Sequence, residues 1–385
     1  MIDPRLLAEV VDLQQRIHRE PELGYEEVAT TLMVAEVLER WGVPHRVRDG
    51  GVGLVAEIGG TGPVVGYRAD LDALPIDEQT GLAHASTRPG LMHACGHDAH
   101  TAIAAGVAAT LASEDLAGRV RFIFQPAEEV FPGGAGDLVE EGVTEGLVAI
   151  VALHADPSLP AGEAGIKSGP ITSSSDRFTI VLSGPGGHTA RPHETPDTLL
   201  AAGKLISEME AILSRRLDPR LPRAVAFGAV HGGEAANVIP ASVRLEGTVR
   251  IADAYAWDAM GPLFAEVVED IVAPLGVQIH LTYEQGIAPV VNDEAVTATV
   301  ASAARAVLGA ASVHPTYTSM GAEDFSEFTR LVPGTLLRLG SAGAGRPFAP
   351  LHSSRFVFDE AGLGPGVAVA AESLRRLIAQ ASSKP

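Results

Sequence analysis

Four short apolar runs constrain this chain more than any other feature: Val52–Ile58, Val64–Arg68, Val120–Phe124 and Leu147–Leu153. Each has the length of a strand, and several are apolar on both faces. Strands of that kind need cover on both sides, as in a parallel sheet flanked by helices. Helical spacing fills the intervals at Leu6–Arg19 and at Thr30–Trp41, which ends on Gly42, a C-cap signal. Asp98–Leu111 is almost wholly apolar and Ala-rich, and reads as a buried helix. The alternation predicts an α/β fold with a mixed, mainly parallel sheet and helices on both faces.

The pattern changes near Ser173. Asp176–Leu182 alternates like a half-buried strand and runs into the turn signal SGPGG. A helix at Thr195–Arg215, strands at Val225–Val230 and Ser242–Arg250, a helix at Tyr255–Leu275 and a strand at Val277–Tyr283 follow. That order, β-α-β-β-α-β, is ferredoxin-like, and predicts an inserted α+β domain over 174–287. The core domain then spans 1–173 and 288–385, with helices at Glu294–Leu308 and Gly364–Gln380. A chain of 385 residues is long enough for both.

Charge and cysteine usage narrow the function. The net charge of −20 repels phosphate backbones and anionic lipid, which argues against nucleic-acid or membrane-surface binding. One cysteine cannot make an intrachain disulfide. The first twenty residues are charged and amphipathic rather than signal-like. No apolar run reaches the ~18 residues of a membrane span. The expected setting is cytoplasmic.

The strongest chemical signal is His93-Ala-Cys95-Gly-His97-Asp98-Ala-His100, which packs three histidines and the sole cysteine into one short stretch. Cys and His suit borderline divalent metals. Ligands at i and i+2 reach one ion only from an extended or loop segment, and Gly96 fits that. A loop of histidines around a buried, inert thiol is the competing reading. A second signal is Gln125-Pro-Ala-Glu128-Glu129, two carboxylates just past an apolar strand. Adjacent residues point apart, so one can ligate a metal while the other faces a water as general base; two solvated surface acids are the bland alternative. Leu147–Leu153 ends at His154, and Val64–Tyr67 ends in Arg68-Ala-Asp70-Leu-Asp72. Either end alone is more often a cap or packing residue. Together, the pieces converge on one sheet edge, where ligands bind in open α/β sheets. The inserted domain adds His188 after a Gly-rich turn, and Asn237 and Arg250 around a strand; Arg250 read alone is a surface residue. His352 lies in a late loop.

These motifs, with His18-Arg-Glu-Pro-Glu-Leu-Gly24, Asn237-Val-Ile-Pro240 and Ser319-Met-Gly-Ala-Glu-Asp-Phe325, resemble the M20 metallopeptidase family. The likeness is to its aminoacylase-like branch of hippurate hydrolases, auxin-conjugate hydrolases and N-acetyldiaminopimelate deacetylases. The resemblance implies two divalent ions, Zn or Mn with Co or Ni also compatible, held by Cys95, His97, Glu129, His154 and His352. Cys95 stands where other branches place a bridging Asp. Glu128 is implied as general base, and Asp70 as the residue that orients a ligand. Arg68 stands where other branches carry a ligating His. His188 is implied as an oxyanion-stabilising histidine reaching a partner subunit's site, and Asn237 and Arg250 as substrate-binding residues of a lid and dimerisation domain. The expected activity is hydrolysis of small N-acyl amino acids by a homodimer or a dimer-based homotetramer. N-Acetyldiaminopimelate deacetylase, dipeptidase and a metal-stabilised binding protein are the alternatives.

Overall fold

The computed structural model describes residues 2–383 and divides into two compact units. One holds Met1–Gly169, Val291–Tyr317 and Asp324–Pro385; the other holds Pro170–Val290 and Thr318–Glu323. The short return of 318–323 to the second unit is carried by backbone bonds, Ser319 N–H to Ile171 O and Ser173 N–H to Gly321 O. The sequence pattern assigns that stretch to the core domain, because so brief an excursion leaves no compositional trace.

In the first unit, β1 (His45–Val47), β2 (Leu54–Gly59), β3 (Val64–Asp70), β4 (Arg119–Gln125), β5 (Leu147–Pro160), β6 (Ala164–Ile166), β7 (Val313–Pro315) and β8 (Gly334–Ala342) form one sheet. Its order is β1-β2-β4-β3-β5-β8-β6-β7. The four central strands run parallel, while β2 joins β4, and β6 joins β8, antiparallel. Every residue of β3 is buried, as an apolar strand in the middle of a covered sheet requires.

The flanking helices include α1 (Pro4–Arg19), α2 (Val28–Arg40), α3 (His97–Ala112), α4 (Glu294–Leu308) and α5 (Leu363–Ser382). The alanines of α3 let α1 and α5 pack close on it. A Cβ on Gly106 would come within 2.6 Å of Val10 and 3.0 Å of Val367. Val10, Ile103 and Val367 are all buried there, each worth on the order of 1.5–3 kcal/mol of apolar burial.

β5 continues to Pro160 instead of ending at His154. Its parallel pairing with β8 persists through Asp156, but pairing with β3 stops at Arg68↔Ala152. From Leu153 onward β5 is therefore open on the β3 side, and His154 falls at that opening.

The second unit has a four-stranded antiparallel sheet of Ser175–Ser183, Arg223–His231, Ser242–Ile251 and Gln278–Ile287. In chain order these strands lie 2-3-1-4. Helices Thr198–Arg216 and Met260–Val272 pack together. The expected single helix over 255–275 is broken, with Ala254–Asp258 preceding Met260–Val272. Pro262 has no N–H for the Asp258 carbonyl four residues back, so the helix restarts there.

Candidate active site

β3 and β4 end side by side at Asp70 and Gln125, and their ends are tied by a buried arginine. Arg68 donates from Nη1 to Asp70 Oδ2 (2.7 Å), from Nη2 to Asp324 Oδ1 (2.8 Å) and from Nε to Gln125 Oε1 (2.8 Å). A guanidinium cannot shed its proton, so its burial demands carboxylates of this kind. Asp70 Oδ1 also takes His100 Nδ1 at 2.7 Å, and His100 Nε2 accepts the Ala155 N–H at 2.8 Å.

The Cys/His loop enters from the other side. Gly96, at φ 92°, is the N-cap of α3 and makes His97 its first residue. A side chain at 96 would sit 2.9 Å from the Ala155 methyl, so glycine meets both the backbone and the space requirement here. His97 Nδ1 donates to the Asp72 carbonyl (2.9 Å) with Asp72 Oδ1 at 3.2 Å. That holds the ring by Nδ1 and turns Nε2 toward the acids, the nitrogen that offers a lone pair once its proton is displaced. It lies 3.9 Å from Glu128 Oε2 and 3.9 Å from Glu129 Oε1. His154 repeats the arrangement: Nδ1 donates to Ala155 O, and Nε2 sits 3.4 Å from Cys95 Sγ. His352 Nε2 lies 3.1 Å from Glu129 Oε1. Two non-glycine residues near these groups hold left-handed backbone, Ala127 at φ 59° and His352 at φ 62°, the kind of strain that surrounding structure must enforce.

Several side-chain groups here have donor atoms within 4.8 Å of one another; two of them, Cys95–His97–His154 and Cys95–Glu129–His352, share the thiol, and a third, His97–Glu128–Glu129, includes Glu128. The donor atoms are suited to cations: His97 Nε2, for one, is buried without a hydrogen-bond partner among the described residues. Burial, then Glu129, Glu128 and Asp70, push the Cys95 thiol well above its ordinary range. Burial alone would lower His97, but Asp70 and the bond to Asp72 overcome it and push it up to about 10. Burial, seconded by His100, holds His154 well below the usual imidazole range. Protons thus occupy Cys95 and His97 where a cation would otherwise balance the acids.

The structure brings Cys95, His97, Glu128, Glu129, His154 and His352 together. It differs from expectation at Asp70, which bonds His100 and Arg68 instead of any of the five expected ligands. Asp72 holds them instead, taking His97 through its carbonyl and Oδ1 and the Glu129 N–H through Oδ2 at 2.8 Å. The signal was available in the Asp70-Leu-Asp72 spacing, since alternate residues at a strand end face the same way. His188, Asn237 and Arg250 lie in the second unit. His188 pairs with Val238 on a two-residue ladder, and the Asn237 carbonyl accepts the Thr189 N–H. Arg250 is half-buried and donates to Met320 O at 3.2 Å.

A mainly parallel α/β sheet that gathers a thiol, imidazoles and carboxylates at one edge defines a metal-dependent hydrolase of amide bonds. The chain belongs to peptidase family M20/M25/M40, whose family model matches residues 66–376. It is 36% identical to the N-acetyl-L-cysteine deacetylase of Bacillus subtilis, over 96% of this chain and 88% of that protein. It is 40% identical over 93% of its length to a Rhodococcus jostii protein named glutamate–cysteine ligase 2-3, and spans only 45% of that protein's length. Among solved structures it matches the Bacillus subtilis YXEP protein, a dinuclear metal-binding peptidase of the M20 family. That match has a TM-score of 0.86 and 34% identity, over 98% of this chain and 99% of the other.

Proposed function

We propose that this chain hydrolyses the amide bond of small N-acyl amino acids, with Glu128 as general base. The observation that carries the reading is the sharing of Cys95 by two ligand sets, with Glu128 in neither of these two although it clusters with His97 and Glu129. A purely structural metal site closes its coordination with protein ligands, whereas three ligands per ion leave positions for water and substrate. The deacetylase relative acts on an N-acyl amino acid by its name, which supports this substrate class over dipeptides.

Cys95, His97 and His154 would hold one divalent ion, and Cys95, Glu129 and His352 the other. Such ions supply Lewis acidity, polarising a carbonyl oxygen and lowering the pKa of water toward ~7. Glu128 then takes the proton as water attacks the amide carbon, and returns it to the leaving amine. Asp72 keeps His97 in the tautomer that presents Nε2. His188, Asn237 and Arg250 are proposed to bind the substrate carbonyl and carboxylate, His188 in a partner subunit of a homodimer. Among the described residues no helix is long and apolar enough to cross a membrane.

The test is a panel of N-acetyl and N-benzoyl amino acids, N-acetyldiaminopimelate and dipeptides, after reconstitution with Zn, Mn, Co or Ni. Cleavage of the acyl amino acids, abolished in Glu128→Gln at full metal content, is expected. Near-wild-type turnover by Glu128→Gln removes the base assignment, and faster cleavage of dipeptides removes the substrate class. Mixed His188→Ala and Glu128→Gln subunits should recover partial activity if the site is shared.

A further inference from the structure

The N-terminal motif His18–Gly24 and the two glutamates that follow it bind nothing in the mechanism above, yet they underlie it. We infer that Glu27 is a positioning residue for Glu128, acting through the backbone of Ala127; the inference rests on Glu128 being the general base. Glu27 is the N-cap of α2, but its side chain makes no capping bond. Glu22 does that work instead, accepting the N–H groups of Ala29 (3.1 Å) and Thr30 (2.8 Å) and the Thr30 hydroxyl (2.9 Å). Glu27 is thereby released from its own helix. It turns inward, fully buried, and its Oε1 accepts the Ala127 N–H at 2.7 Å.

Ala127 is the residue that most needs such a hold. It is non-glycine and left-handed, at φ 59°, a conformation that persists only when neighbours impose it. Its carbonyl accepts the Gly134 N–H at 2.9 Å. On the other side of Glu128, the Glu129 N–H is held by Asp72 at 2.8 Å. Glu128 therefore hangs between two amides, each gripped by a buried acid. The same turn braces the far end of the loop. Tyr25, itself at φ 68°, donates from its hydroxyl to Gly133 O at 3.1 Å, and a Cβ on Gly24 would lie 3.1 Å from Ala127 Cα. Burial, then the charge of Asp72, push the Glu27 carboxyl up to about 8. Its form at neutral pH is therefore the protonated acid, which a glutamine imitates in shape and in acceptor.

The experiment compares Glu27→Gln, Glu27→Ala and Glu27→Asp in the metal-loaded enzyme. The aspartate keeps the acid but withdraws it from Ala127. Readouts are kcat and KM on an N-acetyl amino acid, bound metal, and hydrogen exchange of the 127–134 segment. A displaced base should lower kcat by about 10²-fold in Ala and Asp variants, with KM and metal content nearly unchanged. The 127–134 amides should exchange faster in those two, and the Gln variant should match wild type throughout. Equal impairment of Gln and Ala, or unchanged exchange in both Ala and Asp, overturns the inference. If wild type cleaves no N-acyl amino acid, the substrate reading fails, and the exchange data alone still decide whether Glu27 holds the segment.

Discussion

Asp72→Ala tests the claim that one carboxylate organises both ligand sets. Its Oδ2 accepts the Glu129 N–H at 2.8 Å, and nothing else in the variant replaces that bond. Its Oδ1 lies 3.2 Å from His97 Nδ1, but the main-chain carbonyl of the same residue, at 2.9 Å, stays in place. The loss is thus one full charge-assisted hydrogen bond and part of another. Hydrogen bonds to charged groups contribute roughly 1.5–3 kcal/mol, so a loss of about 2 kcal/mol is expected, or about 30-fold in affinity. That falls within the ~10–100-fold cost of removing a partner that orients metal ligands. Because His97 belongs to one set and Glu129 to the other, both ions should weaken. Competition against a calibrated chelator measures each. Affinities within about twofold of wild type for both ions would refute the assignment, since these two contacts are the ones by which Asp72 reaches the site.

Arg68→Met leaves Asp70 and Asp324 buried without their shared cation. It should cost about 3–5 kcal/mol and lower the melting temperature by about 5 °C; a fall under about 1 °C would show the pair is not stabilising. His18 is buried, which opposes its charge, but Asp98 and Glu78 push it up to about 10. A raised histidine stabilises fully below about pH 6.5, and that stability is lost as pH rises through about 10. His18→Gln should therefore flatten the fall in urea midpoint between about pH 7 and 10; an unchanged slope assigns the fall elsewhere. Loading the apoprotein near neutral pH should release about two protons, from Cys95 and His97, because both are held protonated and His154 is not. Calorimetry in buffers of different ionisation enthalpy reads the number, Cys95→Ala should remove one, and no release would contradict the protonation pattern.

The parts of this site that were legible in the sequence are those that local pattern controls. Apolar runs of strand length gave β2, β3, β4 and β5, and the residues just past them are where His154, Glu128 and Glu129 are found. The Cys-Gly-His spacing suited a loop, and Gly96 turns out left-handed. What stayed hidden depends on distance. Asp324 reaches Arg68 across more than 250 residues of chain. Glu27 reaches Ala127 across a hundred. No periodicity connects such pairs. The strand boundary at His154 was misplaced for the same reason, because β5 is prolonged by its pairing with β8, which comes far later in the chain.

The exchange of roles between Asp70 and Asp72 has an electrostatic cause, and it begins with Arg68. Asp70, Asp72, Glu128, Glu129 and Asp324 gather at one sheet edge. Arg68 is a permanent cation among them and bonds Asp70, Asp324 and Gln125. An arginine has no lone pair to offer a metal, so position 68 cannot ligate one. Having drawn one oxygen of Asp70, it leaves the other for His100, whose Nε2 then holds the backbone beside His154. His97 is left as the imidazole facing Glu128 and Glu129, and the acid that fixes its tautomer is Asp72. The acids that Arg68 does not reach, Asp72 and Glu129, add their charge to that of Asp70 in facing His97. A single protonated imidazole cannot balance them at about 3–4 Å in a low-dielectric setting. Divalent cations can, and that excess of negative charge is what suits this edge of the sheet to the two-ion site proposed above.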